Sequence, residues 1–376
     1  LKAHCLCSES RGVLAPTTAA MGEQEASSAA VVDEAGMSGP MRLASRLSAN
    51  LAKMAPTPLS VRAARGFQVQ QKIGKLAPDE KIYDRYYWEK VLQETGDGGK
   101  VVICRPKDSE NSDFDFVMKI RSKESLRQQR MEETFRSVQQ RLLNLPEHCG
   151  IIPMIEVLED DNFYYLVMAK ASGGSFFEGL LAEFSSGIIP SSEVKRLVSE
   201  ILDAVGHLHA EGMLHRDIKP DNLVMDLRDD PGSPTGMSLS PKLTDFDHAQ
   251  PDWSPVTPGN KCEYTFGTEN FNAPETFLGF FSEQTDLYSV GTCLYLLMTG
   301  KMPYPEDLYR GEPKECFERM KSAEIDWSCD PWPQQPSCMD LCKSLIAFLP
   351  ADRVKTVLEA KSHRWFTERS LSKEAS

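Results

Sequence analysis

No run of about eighteen uncharged apolar residues, the length needed to cross a bilayer as a helix, occurs in the 376 residues. The longest apolar stretches, such as Val290–Met298, are too short or interrupted, which excludes a transmembrane segment. Basic residues are the minority, with Lys+Arg 42 against Asp+Glu 55 and a net charge of −13. Such a surface repels nucleic acid and favours basic partners. The ten cysteines show no metal-ligand spacing: Cys5-Leu6-Cys7 and Cys338…Cys342 lack the second pair that a zinc site requires. They read as reduced thiols of an intracellular protein, cytoplasmic by default. Acidic residues are missing altogether from Ala35 to Pro78.

That acid-free stretch belongs to an extension, residues 1–78, that differs from everything after it. Residues 1–34 are rich in Ala, Ser and Glu with little apolar periodicity, a composition expected to stay disordered. The chain opens on Leu, and Met21, Met37 and Met41 are candidate starts. Between 35 and 78, Leu43, Leu47, Leu51 and Met54 fall at helical spacing beside Arg46 and Lys53. The pattern fits an organellar import segment or, more simply, a disordered basic linker. Gly22 follows Met21, but Ala26 stands where a myristoylation signal wants Ser or Thr.

With 41% hydrophobic residues, the remainder is able to bury real cores. Its chemistry centres on His215-Arg216-Asp217-Ile218-Lys219-Pro220-Asp221-Asn222. One short loop there carries a carboxylate able to take a proton from a hydroxyl, an ammonium able to sit by a transferring phosphate and an amide able to ligate Mg²⁺. A polar loop holding these groups by chance is the alternative. Matches at the right distances downstream disfavour it: Lys242-Leu243-Thr244-Asp245-Phe246-Asp247, Gly267-Thr268, Ala273-Pro274-Glu275 and Arg353.

These motifs resemble the eukaryotic protein kinases of the Ser/Thr class, most of all the calcium/calmodulin-dependent group. The resemblance covers roughly residues 82–366. It implies an α+β, two-lobed fold: a small β-rich lobe with one helix over 79–168, a larger helical lobe over 169–366 and a polar tail at 367–376. ATP and Mg²⁺ are the implied cofactors, and the implied substrate is a protein Ser or Thr hydroxyl. Asp217 is then the catalytic base and Lys219 a γ-phosphate contact. Asn222 and Asp245 are metal ligands, and Lys119 in Phe116-Val117-Met118-Lys119-Ile120 holds the α- and β-phosphates. Met168 becomes the gatekeeper, with the backbone of Ala169–Ala171 against adenine. Gly96 and Gly99 match the second and third glycines of the phosphate-covering loop, which also reads as a plain hairpin turn. No Asp-x-Asp-x-Asp-Gly loop follows, so a fused calcium-sensor module is not expected.

The departures from the family pattern are specific. Glu94 occupies the first-glycine position. Met131, Phe135, Val138, Leu142 and Leu145 make a one-faced helix, yet the position of its lysine-pairing glutamate falls on Val138 or Gln139. Asp247 replaces a glycine, and its carboxylate beside Asp245 is expected to repel ATP phosphates or add a metal ligand, weakening the enzyme without abolishing it. The acidic residue that often follows the paired glycines and reads substrate arginine is Ser175 here. Arg216 calls for an anion from the activation segment, with Thr265 as candidate phosphosite and Glu263 as a built-in substitute. His207 and His209 read as packed core residues. Three alternatives stand beside the kinase reading: a pseudokinase, favoured by Glu94, the absent glutamate and Asp247; a small-molecule phosphotransferase, disfavoured by Lys219 and the 267–275 segment; and a scaffold, disfavoured by the complete catalytic set.

Overall fold

The first strand, β1 (Gly74–Lys75), lies inside the stretch expected to be an extension, pairing in parallel with Leu158 and Glu159 while Leu76 enters a core. The lobe boundary at residue 78 therefore moves upstream. The computed structural model describes residues 71–107, 115–233, 236–254, 262 and 266–368. The basic segment up to residue 70, Glu263, Thr265 and most of the polar tail lie outside the described residues.

A single helical turn, α1 (Ile82–Arg85), leads into β2 (Tyr86–Glu94), β3 (Lys100–Pro106) and β4 (Phe116–Ser122). Two short helices follow, α2 (Lys123–Gln128) and α3 (Glu132–Asn144). The strands β5 (Met154–Glu159) and β6 (Phe163–Ala169) then complete a six-stranded sheet in the order β1-β5-β6-β4-β3-β2. Because successive side chains of a strand face opposite sides, β4 buries Phe116, Met118 and Ile120 in one core and turns Lys119 and Arg121 to the other face. On α3 the predicted stripe is realised, with Phe135, Val138 and Leu142 buried in the main core.

The larger lobe begins with α4 (Phe176–Glu183), capped by Ser175, and α5 (Ser191–Ala210). A hairpin of β7 (Leu223–Asp229) and β8 (Met237–Leu243) pairs in register from Leu223↔Leu243 to Asp229↔Met237. Beyond Asp229 the Asp230 amide donates to the Gly236 carbonyl and the Ser233 amide to the Asp230 carbonyl. Next comes α6 (Glu283–Thr299), buried on every side from Thr285 to Tyr295, as a central helix of a lobe must be. The helix α7 (Pro313–Ser322) packs on the turn Pro274–Leu278, and α8 (Pro336–Leu345) packs against α6. Arg353 clamps Glu275 through two 2.6 Å contacts while its guanidinium lies 4.9 Å from the Tyr288 ring centroid. This ties the end of the activation segment to the core. Among the described residues no helix is long and apolar enough to cross a membrane.

Candidate active site

The loop from His215 to Asn222 owes its shape to one buried carboxylate on α6. Asp286 is fully buried and accepts hydrogen bonds from the backbone amides of His215 and Arg216, each at 2.9 Å, and lies 2.9 Å from His209 Nε2. Burial opposes its charge, but the His209 hydrogen bond and nearby positive groups hold the carboxyl below its ordinary value. His209 is thus not filler. Held this way, Arg216 takes the left-handed backbone conformation, φ 63°, which few non-glycine residues adopt outside functional sites. Its guanidinium donates to the carbonyls of His248 and Ala249 and sits 4.2 Å from the Phe266 ring centroid.

Asp217 emerges next, with both carboxylate oxygens engaged. Oδ1 accepts from Thr268 Oγ1 at 2.8 Å, and Oδ2 accepts from Asn222 Nδ2 at 2.7 Å and lies 3.2 Å from Lys219 Nζ. Lys219 also donates to Thr268 Oγ1 at 2.5 Å. Thr268 therefore touches both residues of the expected catalytic pair, a contact that the motif alone did not disclose. It reaches them because Gly267, at φ +85°, brings the segment so close that a Cβ would stand 2.4 Å from the Arg216 carbonyl. Thr268→Val should lower kcat by about tenfold, the worth of a hydrogen bond to a charged group. Thr268→Ser, which keeps the oxygen, should stay within about threefold of wild type; equal kcat for the valine and serine variants on a protein substrate would remove Thr268 from the site.

Above the loop, a cleft of about 380 Å³ opens between the sheet and β7, bordered by Lys119, Met168, Ala169, Ala171, Asp221 and Asp245. That volume suits a nucleotide. Asp245, at φ 59°, accepts on Oδ1 from Lys119 Nζ at 2.7 Å and from the Asp247 amide at 3.4 Å. Burial pushes the Asp245 carboxyl up, yet Lys119 outweighs it and brings the value to about 2. The group is a permanent carboxylate. Asn222 commits Nδ2 to Asp217 and so leaves its Oδ1 as the end available to a cation. A carboxylate and an amide oxygen are the hard donors that Mg²⁺ prefers.

Gly96 and Gly99 are placed differently from the other candidates. They sit in a tight hairpin turn whose Thr95, Gly98 and Gly99 amides bond within the turn, to Gly99 O, Thr95 O and Asp97 Oδ1. Thr95 and Lys100, not the two glycines, border the cleft. Glu94 has a structural reason to replace the first glycine: it faces Lys100 across the hairpin, with 2.7 Å between the charges.

At the position of the missing α3 glutamate, Val138 belongs to the core and Gln139 is the inward polar residue, 1% exposed, its Oε1 without a hydrogen-bond partner among the described residues. Asp247 does not reach into the cleft as a free charge. Its Oδ2 lies 3.0 Å from Lys119 Nζ and 3.1 Å from Arg121 Nε, two cations that the sequence pattern did not place beside it. Burial works against the Lys119 charge, and Asp247, then Asp245, counter it, leaving the ammonium above its ordinary value.

The protein kinase domain family model matches residues 90–366, and the chain belongs to that family. It is 30% identical over 236 residues to the human serine/threonine-protein kinase H1, which covers 62% of this chain and 51% of the relative. Calcium-dependent protein kinase 27 of Arabidopsis thaliana is 26% identical over 285 residues, 75% of this chain and 55% of the relative. Calcium-dependent protein kinase 4 of Solanum tuberosum is 25% identical over 325 residues, 86% and 54% respectively. The chain spans about half the length of these relatives. Its likeness is to Ser/Thr kinases, the calcium-dependent group among them.

Proposed function

We propose that the chain transfers the γ-phosphoryl group of Mg-ATP to a Ser or Thr hydroxyl of a protein. The observation that carries this reading is Asp217, held on both oxygens by Thr268, Asn222 and Lys219 on the loop whose Asp221 borders a nucleotide-sized cleft. A carboxylate fixed in this way orients an incoming hydroxyl and accepts its proton. Lys219 and Lys119 lower the cost of gathering negative charge where the phosphoryl group moves. The backbone of Ala169–Ala171, beside Met168, is the edge against which adenine would lie. Magnesium held by Asp245 and Asn222 would neutralise phosphate oxygens.

The test is transfer of radiolabelled phosphate from ATP to generic protein substrates with Mg²⁺, beside Asp217→Asn and Asp245→Asn. Asp245→Asn is expected to raise the Mg²⁺ concentration needed for half-maximal rate by at least tenfold, because a charged metal ligand becomes neutral. Wild-type turnover equal to that of Asp217→Asn would overturn the enzyme reading in favour of a nucleotide- or partner-binding pseudokinase, the alternative that Gln139 and the closed glycine turn favour.

A further inference from the structure

Among the described residues Lys119 has two carboxylate partners, and neither comes from α3. The inward polar residue of that helix is Gln139, which is neutral; it lines the same small cavity behind Met168 as Lys119, Asp245 and Asp247. Of the two carboxylates, Asp245 is the one with a second task, since a metal at the cleft would draw it away from the ammonium. Asp247 borders the same cleft but is held by a second cation as well. Its side chain is 13% exposed, and its Oδ2 is shared between Lys119 Nζ at 3.0 Å and Arg121 Nε at 3.1 Å. Those two cations stand two residues apart on one face of β4, and the carboxylate lies between them; the contact with Arg121 Nε is an ion pair by distance only, since that nitrogen makes no hydrogen bond among the described residues.

We propose that Asp247 is the positioning residue for Lys119, supplying from the segment after β8 the orienting carboxylate that α3 lacks. The inference rests on the kinase reading of the cleft and deepens it. The phosphate-binding lysine is set by the conformation of the Asp245–Asp247 segment, and a shift of α3 alone does not release it. Gln139 is then expendable: its amide oxygen has no partner to lose. The expectation for the glycine variant also changes sign. A carboxylate that only repelled phosphate would, on removal, let nucleotide bind more tightly, whereas loss of an orienting partner weakens binding.

The experiment measures the affinity of the full chain for a fluorescent ATP analogue, in EDTA and again in saturating Mg²⁺, so that turnover is not required. Asp247→Gly should weaken binding about tenfold in both media, the lower end of what removing an orienting partner costs a functional group. Asp247→Asn keeps the shape and lowers the charge, and should weaken binding by about threefold or more. Gln139→Met alone should leave affinity unchanged, and Gln139→Glu in the Asp247→Gly background should recover most of the loss by returning a carboxylate from α3. Thermal unfolding of each variant identifies any that does not fold, and the near-isosteric Asp247→Asn then decides the matter. Tighter or unchanged binding by that variant in EDTA overturns the proposal, as does a loss seen only with Mg²⁺, which would make Asp247 a metal ligand. Failure of wild type to phosphorylate protein would overturn the kinase reading; unchanged binding with turnover intact would overturn only this one.

Discussion

Asp217→Asn should lower kcat by about two to four orders of magnitude, the range that a positioned general base contributes, while nucleotide affinity stays within about twofold. The two halves of this expectation have different structural sources. Asp217 does not border the nucleotide-sized cleft, whose walls include Lys119, Met168, Ala171, Asp221, Asp245 and Asp247; removing its charge leaves those contacts in place. The asparagine side chain has the same shape, so the hydrogen bond from Thr268 can survive. Its amide group cannot take a proton, and an NH₂ turned toward Asn222 Nδ2 or Lys219 Nζ would meet another donor. Lys219 would lose its 3.2 Å counter-charge as well. Kinetics with a protein substrate and, separately, equilibrium nucleotide binding check the two halves. A variant that loses nucleotide affinity in proportion to kcat would place Asp217 on the nucleotide and not on the acceptor hydroxyl.

Much of this arrangement was legible in the chain because phosphoryl transfer needs particular groups at fixed separations along one loop. The His215–Asn222 motif, Asp245 and the Glu275–Arg353 pair could be placed from residue identity and order. Helices with a clean apolar stripe, such as α3 and α5, were equally visible. The hairpin of β7 and β8 was not, because Ser238, Ser240, Pro241 and Lys242 break the alternation that marks a strand and because its register is set by pairing. Nor were α1 and α2, each too short to show a period. The harder omissions are contacts between residues far apart in sequence. Thr268 reaches Asp217 from 51 residues away, and Asp247 reaches Lys119 and Arg121 on a different sheet. Residue type alone suggested that Asp247 was a liability, since like charge beside Asp245 is unfavourable in isolation. The two cations of β4 lie within ion-pair distance of that carboxylate, and only their placement on one face reveals them. His209 is packed, as its place on the helix suggested, with a side chain 6% exposed, but helical periodicity could not set it against Asp286.

Asp286 is the residue whose loss should cost the most stability. Replacing it by Ala leaves the His215 and Arg216 amides and the His209 imidazole without their shared acceptor, in a position with no access to water. Breaking a buried charged hydrogen-bond network of this kind costs about 3–5 kcal/mol. That is a large share of the roughly 5–15 kcal/mol that keeps a protein folded. Asp286→Asn should cost about half as much, since one oxygen still accepts while the new NH₂ faces a donor. The acid limb of the stability curve carries a signature. Because the folded carboxyl titrates below its ordinary 3.8, Asp286 contributes stability that is fully present above that value and is lost as pH falls through the lower folded value. The gap between wild type and Asp286→Asn should therefore be constant near neutral pH and narrow only below about 4. Urea denaturation at several pH values measures this directly, provided that the slope with denaturant is unchanged. Activity should fall further than stability predicts, because the two amides that Asp286 holds belong to the residues immediately before Asp217. An Asp286→Ala protein that unfolds within about 1 kcal/mol of wild type would show that the catalytic loop is held by its contacts with the activation segment, and not by the central helix beneath it.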